Sequence, residues 1–172
     1  AASDESVIRG FYDRNKSIYR QLHARHILIR IPGSAVPLRE GQKEMTEPEA
    51  FARAQEIRKQ IVEKGDFEAI AKAESDDTGS GARGGDLGFF SAGQMVAPFE
   101  QAAFALQVNQ ISEPVKTQFG YHIIQALEYK DRSYDEVKAE IQEKSGPELR
   151  GKFLEELRRK NPPTLDEAYF AK

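Results

Sequence analysis

Apolar positions in SDESVIRGFYDRNKSIYRQL fall at helical spacing. Val7, Ile8, Phe11, Ile18 and Leu22 form a broken stripe, which predicts a helix over 3–22 capped by Ser3 or Asp4, with Gly10 a weak point inside it. The period then shortens. Residues 24–31, ARHILIRI, read as a strand with His26 and Leu28 on one face and Ile27 and Ile29 on the other. Pro32 and Gly33 end it, and the segment to Lys43 reads as a polar loop. Thr46 and Glu49 form a capping-box pattern ahead of a helix whose apolar face is Ala50, Phe51, Ala54, Ile57 and Ile61, and Gly65 stops it.

A short helix is predicted over FEAIAKAES, a loop over 76–85, a brief strand over 86–90 and a helix over 98–105 with proline near its start. A further strand covers 120–129, with His122 and Ile124 facing the same way. Ser133 and Glu136 repeat the capping-box pattern, and Val137 and Ile141 begin a stripe. Ser145-Gly146-Pro147 interrupts that stripe before Leu149, Phe153, Leu154 and Leu157 resume it. The division is a mixed body at 23–130 between helical arms at 1–22 and 131–172. The arms are apolar enough to pack on each other, on the body or on absent chain, and self-association through them is left open.

The chain has 172 residues, 39% of them hydrophobic, enough for a real core. A formal net charge of -3 gives no general attraction to nucleic acid or to an anionic membrane. There is no cysteine, which excludes a thiolate nucleophile, a disulfide framework and a zinc–thiolate site. No apolar run is long enough for a membrane span, and no signal peptide is visible, so no membrane insertion is expected. The chain starts at alanine and is read as a processed or excised piece. His23 and His26, three apart on a strand, face opposite ways, so no metal site is expected. GSGARGG does not join a long βαβ unit, and no nucleotide or other cofactor is expected.

Three stretches in order carry a specific likeness: ARHILI at 24–29, ESDDTGSGARGGDLGFFSAGQMVAPFEQAAFAL at 74–106, and ISEPVKTQFGYHII at 111–124. Together they resemble the parvulin family of peptidyl-prolyl cis/trans isomerases, over about 23–129. The resemblance implies an α+β fold, a four-stranded antiparallel sheet surrounded by about four helices, with the arms as helical extensions. It implies a proline pocket built from Leu87, Met95 and Phe99, with Phe104 at its edge and Gln94 orienting peptide. It also implies a polar cluster of His26, Asp77, Thr117 and His122. Taken alone, Asp77 equally suits a turn cap, Met95 and Phe99 suit helix packing, and the histidines suit structural roles.

The implied chemistry is rotation about an X-Pro bond, whose partial double-bond character makes the uncatalysed step slow. No bond is made or broken. A snug apolar slot and a controlled polar surface near the rotating carbonyl suffice, without nucleophile, metal or cofactor. The expected partners are proline-containing polypeptides or unfolded clients. The alternative is a peptide-binding or chaperone module that keeps the fold without catalysis. Arg30, Arg39 and Lys43 are scattered among Glu40 and Glu44, which favours unphosphorylated substrates. The arms resemble the chaperone flanks of exported bacterial parvulins, implying periplasm or cell envelope, with cytoplasm as the alternative.

Overall fold

The structure is a computed structural model that describes residues 2–143 together with 151, 155 and 159. The described residues divide into two units, 20–131 and a second that joins 2–19 with those from 132 onward. In the first, strands β1 (Arg20–Arg30), β2 (Asp86–Ser91), β3 (Val115–Thr117) and β4 (Gly120–Asp131) form one antiparallel sheet in the order β2-β1-β4-β3. Four helices accompany it: α2 (Glu47–Lys64), α3 (Phe67–Glu74), the single turn α4 (Thr78–Gly81) and α5 (Ala97–Phe104). The second unit contains α1 (Ala2–Arg14), a 3-10 turn at Lys16–Tyr19, and α6 over 134–143.

Directly opposed residues of an antiparallel pair share a face, so register fixes the layers. Ile27 pairs with Ile123, and these with Ile29 form the face covered by Ala50, Ala54, Ile57 and Ile61 of α2 and Phe67 and Ala71 of α3. His26 pairs with Ile124 and Leu28 with His122, on the opposite face. There Leu22, Ala24, Phe90, Ile124 and Ala126 pack with Phe99 and Ala103 of α5. The central strands are thus buried on both sides, and each histidine is placed by a strand that cannot slip without exposing its neighbours.

Helix α2 begins as its capping box requires: Glu49 accepts from the Thr46 N–H at 2.7 Å, and the Thr46 hydroxyl accepts from the Glu49 N–H. Gly65 closes it in the left-handed region. Ser133 and Glu136 make the same reciprocal bonds ahead of α6. Within the second unit, Val7 and Ile8 of α1 share a core with Tyr134, Val137 and Ile141.

Two expectations are corrected. The first helix ends at Arg14, and Arg20, Gln21 and Leu22 belong to β1, where Leu22 pairs with Tyr129 and Phe90 and is fully buried. Ser3 and Asp4 lie inside α1, which starts at Ala2. The stripe expected at Leu149–Leu157 lies outside the described residues.

Candidate active site

β2 pairs with β1 only from Gln21 to Arg25. Beyond that, β1 is bonded by the segment after α3. The Asp76 N–H donates to the Leu28 carbonyl at 2.7 Å, the Leu28 N–H donates to the Ser75 hydroxyl, and the His26 N–H donates to the Gly85 carbonyl at 2.9 Å. A loop therefore completes the sheet edge, and it brings Asp77 beside His26. Gly85 has φ +85°, and a Cβ built there would lie 2.3 Å from the His26 carbonyl oxygen. Glycine is what lets the turn approach the strand so closely.

The polar residues expected to cluster do so, in a line. His26 Nε2 lies 2.7 Å from Asp77 Oδ2, His26 Nδ1 lies 3.0 Å from His122 Nδ1, and His122 Nε2 lies 2.7 Å from Thr117 Oγ1. The Phe119 N–H donates to Thr117 Oγ1 at 3.1 Å, and a Thr117 O–H that donates to His122 Nε2 is one arrangement in which every contact of the line is satisfied. A neutral His122 then carries its hydrogen on Nδ1 and donates to His26, which donates from Nε2 to the Asp77 carboxylate. Each contact has one hydrogen.

The hydrogen bond from His26 holds the Asp77 carboxyl well below the usual carboxylate range; partial burial opposes this and Ser80 reinforces it. Burial pushes the His122 imidazole down to about 3, and the neighbouring His26 adds to the shift. Below its ordinary value near 6.5, His122 takes a proton in the unfolded chain and not in the folded one. Its contribution to stability is complete above about pH 6.5 and is lost as pH falls toward about 3. Asp77 acts in the same direction at lower pH, since its depressed carboxyl stabilises the fold only while the unfolded carboxyl would also be ionised. Urea titrations at pH 7 and pH 5 are expected to show the chain weakening by about 1.4 kcal/mol per pH unit below ~6.5, and His122→Gln to lose most of that slope.

Above this line lies a cleft of about 740 Å³, lined by His26, Asp77, Leu87, Gln94, Met95, Phe99 and His122 among others. Phe99 meets both imidazoles edge-on, with centroids 5.7 Å from His26 and 5.1 Å from His122. The Asp77 side chain is 33% exposed, so the carboxylate is fixed on one side and open on the other. It also caps α4 by accepting from the Ser80 N–H, so one side chain both caps a turn and lines the cleft.

Thr117 sits behind His122 and does not line the cleft. Phe104 is placed elsewhere too: it packs between Phe90 and Tyr129, at 5.7 and 6.3 Å, in the core beneath α5. Three features escaped the sequence reading. Ser80 donates to Asp77 Oδ2 at 2.5 Å, Phe119 lines the cleft, and Ala35, Val36, Pro37 and Leu38 line it as a continuous apolar run. The loop read as polar thus carries an apolar run, visible as AVPL, that faces the slot.

The model of the PPIC-type PPIase domain matches residues 11–130, which takes in the sheet, the histidine line and the cleft. The chain belongs to the PPIC-type PPIase domain family. It therefore carries a peptidyl-prolyl cis/trans isomerase domain of the parvulin type, as the motifs implied. It is 36% identical over 160 residues to the chaperone SurA of Nitrosococcus oceani, covering 90% of this chain and 34% of that protein. It is 48% identical over 91 residues to foldase protein PrsA 1 of Bacillus cereus, covering 52% of this chain and 32% of the relative. It spans about a third of the length of these relatives. The crystal structure of the peptidylprolyl isomerase PrsA from Bacillus anthracis superposes with a TM-score of 0.57 at 33% identity, covering 92% of this chain and 62% of that one. The solution structure of TbPIN1 gives 0.58 at 40% identity, covering 63% of this chain and 97% of that one.

An apolar slot of this kind can hold a proline ring away from water, which disfavours the more dipolar planar amide relative to the twisted one, and a carboxylate held by His26 and Ser80 can present fixed charge beside it.

Proposed function

We propose that this chain accelerates cis/trans rotation about X-Pro bonds in extended or unfolded polypeptides, with an apolar residue before proline and no requirement for phosphate. The observation that carries the reading is the placement of Phe99, with Met95 and Leu87, in one cleft with the His26–Asp77 pair. The phosphate-free preference is supported by how the loop arginines are used. Arg30 is buried and bonds the Val36 carbonyl and Glu44, while Arg39 bonds Asp76 and the Ala73 carbonyl. Arg39 lines the cleft, but its guanidinium is bonded to Asp76 and Ala73 and that of Arg30 is buried, so the two do not converge on an anion there.

Similarity to a chaperone and to foldases supports client polypeptides as partners and the bacterial periplasm or envelope as the place of action. Exchange rates in Leu-Pro, Glu-Pro and phosphoserine-Pro peptides test the reading. The Leu-Pro peptide is expected to exchange fastest. A phosphoserine-Pro peptide that exchanges faster than Leu-Pro contradicts the assignment.

A further inference from the structure

Among the described residues Asp76 is a carboxylate with 2% exposure that the chemistry above does not use. It stands next to Asp77 in sequence and does the opposite job. Its Oδ2 accepts the Arg30 N–H at 2.8 Å, and its Oδ1 accepts Arg39 Nε at 3.0 Å and Gln42 Nε2 at 2.8 Å. Arg39 and Gln42 also bond each other, the Arg39 N–H to Gln42 Oε1 and the Gln42 N–H to the Arg39 carbonyl. One buried carboxylate therefore joins β1 to a closed turn at the end of the apolar wall. The other end of the wall is held at the Val36 carbonyl by Arg30 Nε.

We propose that Asp76 is a positioning residue that sets which side chain is accepted before proline. It fixes Val36, Pro37 and Leu38, which line the same cleft as Met95 and Phe99, and the space they leave there selects the preceding side chain. The inference rests on the proposed reading that an X-Pro segment occupies the cleft. Its physical basis is the division of donors. Arg30 supplies a backbone bond inside the fold, whereas Arg39 and Gln42 belong to the loop. A buried carboxylate keeps its donors because leaving it short of partners costs more than an ordinary hydrogen bond yields. The wall is thereby held in one place before any peptide arrives.

Gln42 is the informative position because it is absent from the cleft lining, so any effect on selectivity must pass through the wall. Gln42→Ala keeps the Arg39 ion pair and the Arg30 bond, and so keeps the fold, and it carries the selectivity test; Arg39→Ala/Gln42→Ala removes both loop donors, and because Arg39 lines the cleft and adjoins Leu38 this variant is read from the Val36 amide alone. Two readouts apply to the full chain: the backbone amide shifts of Val36 and Leu38, and kcat and KM for Leu-Pro against Gly-Pro peptides by exchange spectroscopy. The Val36 and Leu38 amides are expected to move while those of His26 and His122 hold. The preference for Leu-Pro is expected to fall about three- to tenfold, mostly in KM, the size of one ordinary hydrogen bond. A Val36 amide that stays at its wild-type position in the double variant overturns the proposal, and so does an unchanged preference in Gln42→Ala when its wall amides have moved. If the wild-type chain binds these peptides without accelerating exchange, the isomerase reading fails by itself. The preference is then read from dissociation constants, with the same two outcomes for Asp76.

Discussion

Phe99→Ala is expected to lower kcat/KM on a Leu-Pro peptide by about five- to 150-fold, following from about 1–3 kcal/mol of lost ring packing. The side chain is 3% exposed and belongs to the core under the sheet, yet it also lines the cleft and touches both imidazoles. Truncation removes part of the slot and the surface against which His26 and His122 are held. Stability falls as well, by about 3–5 kcal/mol for a buried phenylalanine, so rates are compared only where the urea transition shows the variant folded. Met95→Ala supplies the comparison with a smaller packing loss, since Met95 is only partly buried. His26→Gln is expected to reduce the rate less than either, because His26 borders the cleft mainly as the hydrogen-bond partner of Asp77 whereas Met95 and Phe99 supply its apolar surface. A folded His26→Gln chain far slower than Phe99→Ala contradicts this ordering.

The second large effect is on folding. Gly85→Ala is expected to destabilise the chain by more than about 3 kcal/mol, beyond the ~1–2 kcal/mol of a left-handed residue alone. Its Cβ would meet a backbone carbonyl at 2.3 Å, and no rotamer change relieves a clash with backbone. Relief requires moving the turn away from β1, which breaks the His26 N–H to Gly85 bond and carries Asp77 off with it. Gly88 provides the control: its φ is +66°, but nothing lies within 4 Å of an added Cβ. Urea midpoints of Gly85→Ala and Gly88→Ala should differ clearly, with only the first losing the His26–Asp77 contact. Equal midpoints show that the close approach contributes nothing.

These two residues mark how far the sequence could be read. α2 was legible because its caps and its 3.6-residue apolar face agree, and the 120–129 strand because a glycine opens a run rich in apolar and aromatic residues, buried on both faces. Leu22 was misread because it falls at helical spacing from Ile18, and only pairing with Tyr129 and Phe90 reveals it as strand. β3 was invisible to periodicity, since three residues give no alternation to detect. The fourth strand was implied only by the motif resemblance.

In the site, the motifs located His26, His122 and Asp77, because each lies in a segment whose neighbours fix its register. They did not separate the tasks of Asp76 and Asp77. The two side chains are chemically alike, and which one is buried depends on how the chain leaves α3. The wall at Ala35–Leu38 was missed for a related reason. A short apolar run in a charged loop has no period, and its orientation is set by bonds to Arg30 and Asp76 from distant positions. Phe104 was misplaced because an aromatic five residues after Phe99 lies on a different side of α5.

The central claim is that an X-Pro segment turns over in the cleft above the histidine line. The chain contains two methionines, Met45 and Met95. Met95 lines the cleft, whereas Met45 packs against the core cluster formed with α2 and α3. A chain carrying 13C-methyl methionine, titrated with a Leu-Pro peptide while cis/trans exchange cross-peaks are recorded, tests catalysis and location together. The account predicts exchange cross-peaks at substoichiometric protein and a saturable shift of the Met95 methyl, with Met45 unmoved. Saturation of Met95 without exchange, or exchange with Met95 unmoved, would contradict it.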